Sequence, residues 1–186
     1  MKVAVIGDSG YVGAELIGLL NQHNDVQVSH LLVSENSTSH GCNFDQLHPR
    51  WQGIISTPLQ SFSAQWLAKH CDSFDAVFLA TPHEFSQEIA ASLLAKNKTV
   101  FDLSGAFRLK EPTLYPKHYQ FEHQQPALLN SAVYGLAEWQ AREIQSANLI
   151  AVPGCYPTAS LLSLKPITSM SYQLDGGLVV VNGISG

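Results

Sequence analysis

Short apolar runs alternate with stretches of helical spacing along most of the 186-residue chain. Lys2 to Ile6 is a β-type run that ends in Gly7-Asp8-Ser9-Gly10-Tyr11-Val12-Gly13. Ala14 to Leu20 then carries its apolar residues at helical spacing. The unit reads strand, glycine loop, helix. Val26 to Val33 supplies a second strand, and right-handed crossover makes a parallel pair the expected product. Further on, the pattern predicts a short strand at Ile54-Ile55, a helix over Ala64 to His70 and a buried strand over Ala76 to Ala80. A helix through Glu88 to Lys96, a strand over Thr99 to Leu103 and a helix ending at Ile144 follow. Ser39 to Trp51 shows no regular period and reads as a polar loop. The aromatic, histidine-dotted stretch from Glu111 to Gln125 reads as an insertion covering the sheet edge.

Leu149 to Val152 is the last short run before Pro153-Gly154-Cys155-Tyr156-Pro157-Thr158. Pro153-Gly154 signals a turn, and the spacing of Leu161, Leu162 and Leu164 supports a helix stopping around Pro166. Cys155 therefore sits at a strand-to-helix corner. The unpaired N–H groups and positive end of the helix favour thiolate over thiol there, so the position suits a nucleophile better than a space-filling residue. Asp175-Gly176-Gly177 turns into Leu178 to Val181, a strongly β-type run, and no repeat or low-complexity tract interrupts the chain. The expected fold is α/β. A doubly wound Rossmann-type dinucleotide-binding domain spans residues 1–153, and residues 154–186 give the first helix and strand of an α+β catalytic domain.

The polar chemistry gathers at the strand tips. Gly7 permits a tight turn, Gly10 lets backbone N–H groups approach a pyrophosphate, and Gly13 lets the helix lie close to the strand. Ser9, Tyr11 and Val12 complete that loop. Past the second strand, Glu35 could hold a ribose diol while Ser34 and Ser37 could bond a 2′-phosphate, so these residues leave NAD and NADP both open. Thr81-Pro82-His83-Glu84 should face the same cleft, with His83 in the polar first turn of the next helix rather than acting as a base. Ser104, Gly105 and Arg108 make an anion site.

Composition narrows the class. Apolar residues make up 45% and charged residues 13%, which excludes a disordered chain, and no apolar run is long enough to cross a bilayer. A net charge of −5 argues against nucleic acid as partner. Three cysteines, Cys42, Cys71 and Cys155, point to a reducing compartment, and the first residues carry no cleavage signal, so the cytoplasm is expected. Neither Cys42 nor the pair His118 and His123 has partners at metal-ligand spacing, and no metal is expected.

Four motifs in order, Gly7 to Leu16, Asp102 to Arg108, Tyr134-Gly135-Leu136-Ala137-Glu138 and Pro153 to Thr158, together resemble the N-acetyl-gamma-glutamyl-phosphate reductase family of arginine biosynthesis. The resemblance covers the whole chain. It implies an oxidoreductase of semialdehyde dehydrogenase type with NADP as cofactor and a homo-oligomeric state. In that reading Cys155 is the nucleophile toward an acyl phosphate, and Ser104 and Arg108 contact substrate. It also implies that Ser185 and Gly186 open a second cofactor loop and that a catalytic histidine lies beyond them, so residues 1–186 alone should fold without steady-state turnover. The family loop usually carries Ala where this chain has Asp8. Two rivals stand beside it: an aspartate-semialdehyde dehydrogenase, and a nucleotide-binding module without turnover.

Overall fold

A computed structural model describes residues 1–169 and 179–184. Seven strands, β1 (Lys2–Ile6), β2 (Gln27–Val33), β3 (Leu59–Ser61), β4 (Ala76–Leu79), β5 (Thr99–Asp102), β6 (Val133–Tyr134) and β7 (Leu149–Ala151), form one sheet ordered β3-β2-β1-β4-β5-β7-β6. Every pairing is parallel. The central run Val3-Ala4-Val5-Ile6 is apolar throughout because both of its faces are covered: Val3 and Val5 join one core cluster, Ala4 and Ile6 the other.

Among the described residues there are eight α-helices, α1 (Tyr11–Asn21), α2 (Phe44–Leu47), α3 (Ala64–His70), α4 (His83–Leu94), α5 (Tyr115–Tyr119), α6 (Pro126–Ser131) and α7 (Ala137–Ser146) between strands and α8 (Cys155–Ser169) after the last one. Helix α1 buries Ala14, Ile17 and Leu20 against β1 and β2, and its Gly18 lies flush under the Trp51 ring, where a Cβ would come within 2.1 Å of that ring. Ser63 caps α3 by accepting the Trp66 N–H, which fixes the start of that helix at the residue the periodicity predicts.

Several expectations are corrected. Ile54-Ile55 is not a strand: Ile55 is buried as a core plug from a turn, and the third strand is Leu59–Ser61, which pairs with β2 from Leu31 to Val33. Ser39 to Trp51 is not all loop, since it holds α2 and the 3-10 turn Pro49–Trp51. The aromatic insertion does not cover the sheet edge; Tyr115 and Phe121 join the core on one face, with Leu79, Val100 and Phe107, and the edge is β6. Helix α8 runs past Pro166 to Ser169, because a proline in the last turn removes one donor without ending the helical path. Val179 to Val181 is exposed and outside any strand, while Leu178, Asp175-Gly176-Gly177, Ser185 and Gly186 lie outside the described residues.

Candidate active site

The strand order reverses between β1 and β4, since β2 and β3 lie to one side of β1 and β4 to the other, while all strands keep one direction. Open parallel sheets bind ligands at the carboxyl ends of their strands at such a switch point. A cleft of about 410 Å³ sits there, lined by Gly7, Ser9, Gly10, Ser34, Thr81 and Pro82 among others. A larger hollow of about 770 Å³ shares Ser34 and Phe85 with it and runs along Glu35, Phe62 and Lys96.

The glycines are required by close approach. Gly7 has φ of +94°, and a Cβ on it would lie 2.2 Å from the Ala80 carbonyl oxygen at the β4 tip. A Cβ on Gly13 would meet the Gly7 carbonyl oxygen at 2.4 Å, so Gly13 seats α1 on the loop. Gly10 is the exception, since a Cβ there would make only ordinary contact with the Gly7 carbonyl oxygen at 3.6 Å; it serves as the N-cap of α1 without a side-chain bond, which leaves the first N–H groups of that helix for a ligand. Tyr11 and Val12 are exposed at the helix mouth. This cradle and cleft fit the pyrophosphate of a dinucleotide.

Asp8 lies inside the same loop but does not line the cleft. It is fully buried, and neither of its carboxylate oxygens has a hydrogen-bond partner among the described residues. Its backbone oxygen accepts from His48 Nε2 at 3.0 Å. Burial pushes its carboxyl up to about 7, against the weaker pull of the backbone N–H groups of Asp8 and Ser9.

The tips of β5 and β7 come next along the same edge of the sheet. Asp102 ends β5 fully buried and accepts the Ser104 N–H at 3.1 Å and the Ser104 hydroxyl at 2.9 Å. Burial raises the Asp102 carboxyl, opposed by those bonds, by Ser86 and by Arg108. The Ser104 oxygen also accepts the Ala106 N–H at 3.0 Å, so this hydroxyl closes a turn. Arg108 spans the two tips: Nε donates to the Val152 carbonyl and Nη2 to the Leu103 carbonyl, each at 2.8 Å. Its Nη1 lies 3.2 Å from the place a Cβ on Gly154 would take. The guanidinium thus rests against the residue before Cys155. Tyr134 at the β6 tip is near enough to feel it, because burial raises the Tyr134 hydroxyl and Arg108 opposes the rise.

Cys155 is the first residue of α8 and is exposed, whereas Cys42 and Cys71 are half-buried. The Gly154 carbonyl accepts both the Thr158 N–H at 3.0 Å and the Thr158 hydroxyl at 2.9 Å, which pins the first turn behind the thiol. What the site can do chemically follows from this edge: one end cradles a dinucleotide, the other presents an exposed thiol and a fixed guanidinium.

Residues 2–147 match the family model described as the semialdehyde dehydrogenase NAD-binding domain. This chain belongs to the semialdehyde dehydrogenase family. It is 46% identical to the N-acetyl-gamma-glutamyl-phosphate reductase of Yersinia pseudotuberculosis over 186 residues, covering 100% of this chain and 55% of that protein. The chain therefore spans about half the length of the curated relatives it matches. In fold it is similar to aspartate semialdehyde dehydrogenase II from Vibrio cholerae, at a TM-score of 0.61 and 19% identity over 91% of this chain and 42% of that one. It is also similar to the Candida albicans aspartate semialdehyde dehydrogenase solved with NADP, at a TM-score of 0.55 and 18% identity over 91% of this chain and 47% of that one.

Of the positions the sequence singles out, this semialdehyde dehydrogenase domain brings Gly7, Ser9, Gly10, Ser34, Thr81 and Pro82 to one cleft, and Arg108 to the Cys155 corner. Ser104 faces Asp102 and the Ala106 N–H. Sequence reasoning missed Asp102 as the anchor of that turn and Tyr115, whose hydroxyl clamps it by donating to the Leu109 carbonyl at 2.9 Å and accepting the Leu109 N–H at 3.0 Å. An acid immediately ahead of Leu-Ser-Gly is the one local signal that could have pointed to the first. Among the described residues no group of three His, Cys, Asp or Glu is placed to hold a metal, and no helix is long and apolar enough to cross a membrane.

Proposed function

We propose that this chain is the nucleotide-binding and thiol-bearing part of a reductase that converts N-acetyl-gamma-glutamyl phosphate to N-acetylglutamate semialdehyde in arginine biosynthesis. The observation that carries the reading is the exposed Cys155 at the head of α8, with the Arg108 guanidinium against Gly154 and a dinucleotide cleft on the same sheet edge. Identity of 46% to a protein bearing that reductase name supports the choice of substrate.

The Cys155 sulfur attacks the acyl carbon of the substrate, the bond from that carbon to the phosphate oxygen breaks, and phosphate departs with the electron pair. A thioester on Cys155 is left. Arg108 binds the anionic end of the substrate, oriented by its bonds to Val152 and Leu103, and Ser104 acts through the turn it closes with Asp102 and Ala106. The N–H groups of the first turn of α8 stabilise the oxyanion that forms beside Cys155. The reduced cofactor, NADPH, would be held by Gly7, Ser9, Gly10, Tyr11, Val12, Gly13, Ser34, Thr81 and Pro82, with Ser185 and Gly186, and would supply the hydride that, together with a proton, turns the thioester into aldehyde and frees the thiol. The protein works as a cytoplasmic homo-oligomer, and residues 154–186 begin the substrate domain.

The test is phosphate-dependent reduction of NADP with N-acetylglutamate semialdehyde, using protein of the relatives' full length. Activity confined to aspartate semialdehyde would move the assignment to the rival enzyme, whose fold this chain shares. Two further outcomes are expected. Brief alkylation at pH 7 should label Cys155 before Cys42 and Cys71, because it alone is exposed and heads a helix; peptide mapping reads the order, and equal labelling of all three would overturn the argument that the helix head activates the thiol, while leaving the family assignment in place. NADP should bind more tightly than NAD by about tenfold, the weight of one charge-assisted bond to a 2′-phosphate. A preference for NAD in titration would instead give the ribose to Glu35.

A further inference from the structure

His83 stands between the two halves of the site. It is the first residue of α4, directly after Thr81-Pro82, which wall the dinucleotide cleft. Its Nδ1 accepts the Gly105 N–H at 2.8 Å, a bond across 22 residues of sequence. An Nδ1 that accepts leaves the ring proton on Nε2. The imidazole is also packed in place, edge-on to Tyr119 at 5.2 Å and stacked on Phe121 at 5.8 Å.

Gly105 is buried, so its N–H needs a partner, and the histidine is the one it has. The backbone there cannot shift toward Tyr119, whose ring lies 2.1 Å from where a Cβ would stand. Ser104 holds the start of the turn, His123 the Ala106 carbonyl and Tyr115 its end, but the bond that closes it, from the Arg108 N–H to the Gly105 carbonyl, is long, at 3.5 Å. Arg108 begins at the end of that turn and finishes against Gly154. A chain of contacts therefore runs from the cofactor wall through His83 and Gly105 to the guanidinium beside Cys155.

We propose that His83 is a positioning residue for the reductase, holding the Gly105–Arg108 turn so that the Arg108 guanidinium meets the anionic substrate. The proposal rests on the reductase reading for its kinetic consequence, though the contact itself does not. An asparagine Oδ1 can take the place of Nδ1 as acceptor, whereas alanine offers none. In the full-length protein, His83→Ala should raise the KM for inorganic phosphate, assayed in the direction that consumes aldehyde, by about tenfold, while kcat and the NADP dissociation constant stay within about twofold. His83→Asn should return KM to within about threefold of wild type.

Amide hydrogen exchange over residues 104–109 gives a reading independent of turnover. It should quicken in His83→Ala and recover in His83→Asn. Unchanged exchange and unchanged KM in His83→Ala overturn the proposal, as does a fall in kcat that His83→Asn fails to rescue, which would make the ring a proton carrier. If the wild-type protein shows no reductase activity, the functional reading fails, and the exchange pattern alone decides whether His83 holds the turn.

Discussion

Replacing Cys155 with serine should lower kcat by at least ~10³-fold, while NADP affinity and thermal stability change little. The side chain is exposed at the first position of α8, and serine is well accepted at the head of a helix, so the fold has no reason to respond. The chemistry does. A hydroxyl is a far weaker nucleophile than a thiol at neutral pH, and no described histidine is bonded to this position to serve as its base. The measurement is steady-state turnover of the full-length protein, with phosphate release followed in a single turnover. A Cys155→Ser variant within about tenfold of wild type would rule out a thioester and shift the carbonyl chemistry to direct hydride transfer.

Asp8→Ala should make the protein more stable than wild type above pH 7, by on the order of 3–4 kcal/mol, and leave it little changed near pH 4. The unfolded chain releases the Asp8 proton near 3.8, the folded one near 7. Between those values the folded state holds the extra proton, so each rise in pH favours unfolding. The stability is fully present below the unfolded value and is lost as pH climbs through the folded one. Asp102, also raised by burial, adds to the same slope, and His30, lowered by burial, opposes it below neutrality. Both are common to wild type and variant and cancel in the difference. Denaturant unfolding of the pair from pH 4 to 8.5 gives that difference directly; parallel curves would mean that the Asp8 carboxyl finds solvent or a partner when ionised.

The parts of the site that sequence makes legible are those where local pattern and chemistry coincide. At Lys2 to Leu20 a short unbroken apolar run, three glycines and a helical period follow one another, and the structure places strand, cradle and helix there. At Cys155 the turn residues ahead of the thiol and the leucines behind it mark the corner equally well. The third strand was not legible, because Leu59-Gln60-Ser61 carries only one buried apolar residue, whereas Ile54-Ile55 looks like a strand and is a turn with one side chain plugged into the core. Two residues at Val133-Tyr134 are too few for any period. The Asp102–Ser104 bonds are local, two residues apart, but carry no periodic signal, whereas the role of His83 depends on a bond to Gly105 that appears only after folding brings two strand tips together.

Gly18 and Trp51 change meaning once inheritance is considered. Their contact leaves no room for a single methyl group, since a Cβ at 18 would enter the indole at 2.1 Å. The helix that carries Gly18 also carries the cradle for the dinucleotide, so a displaced ring pushes on the binding loop. While the indole keeps this place, a side chain at position 18 has no room. The two sites, 33 residues apart along the chain, are thus coupled through one contact. The barrier is one-sided: it stands against a side chain at position 18 while the indole is in place.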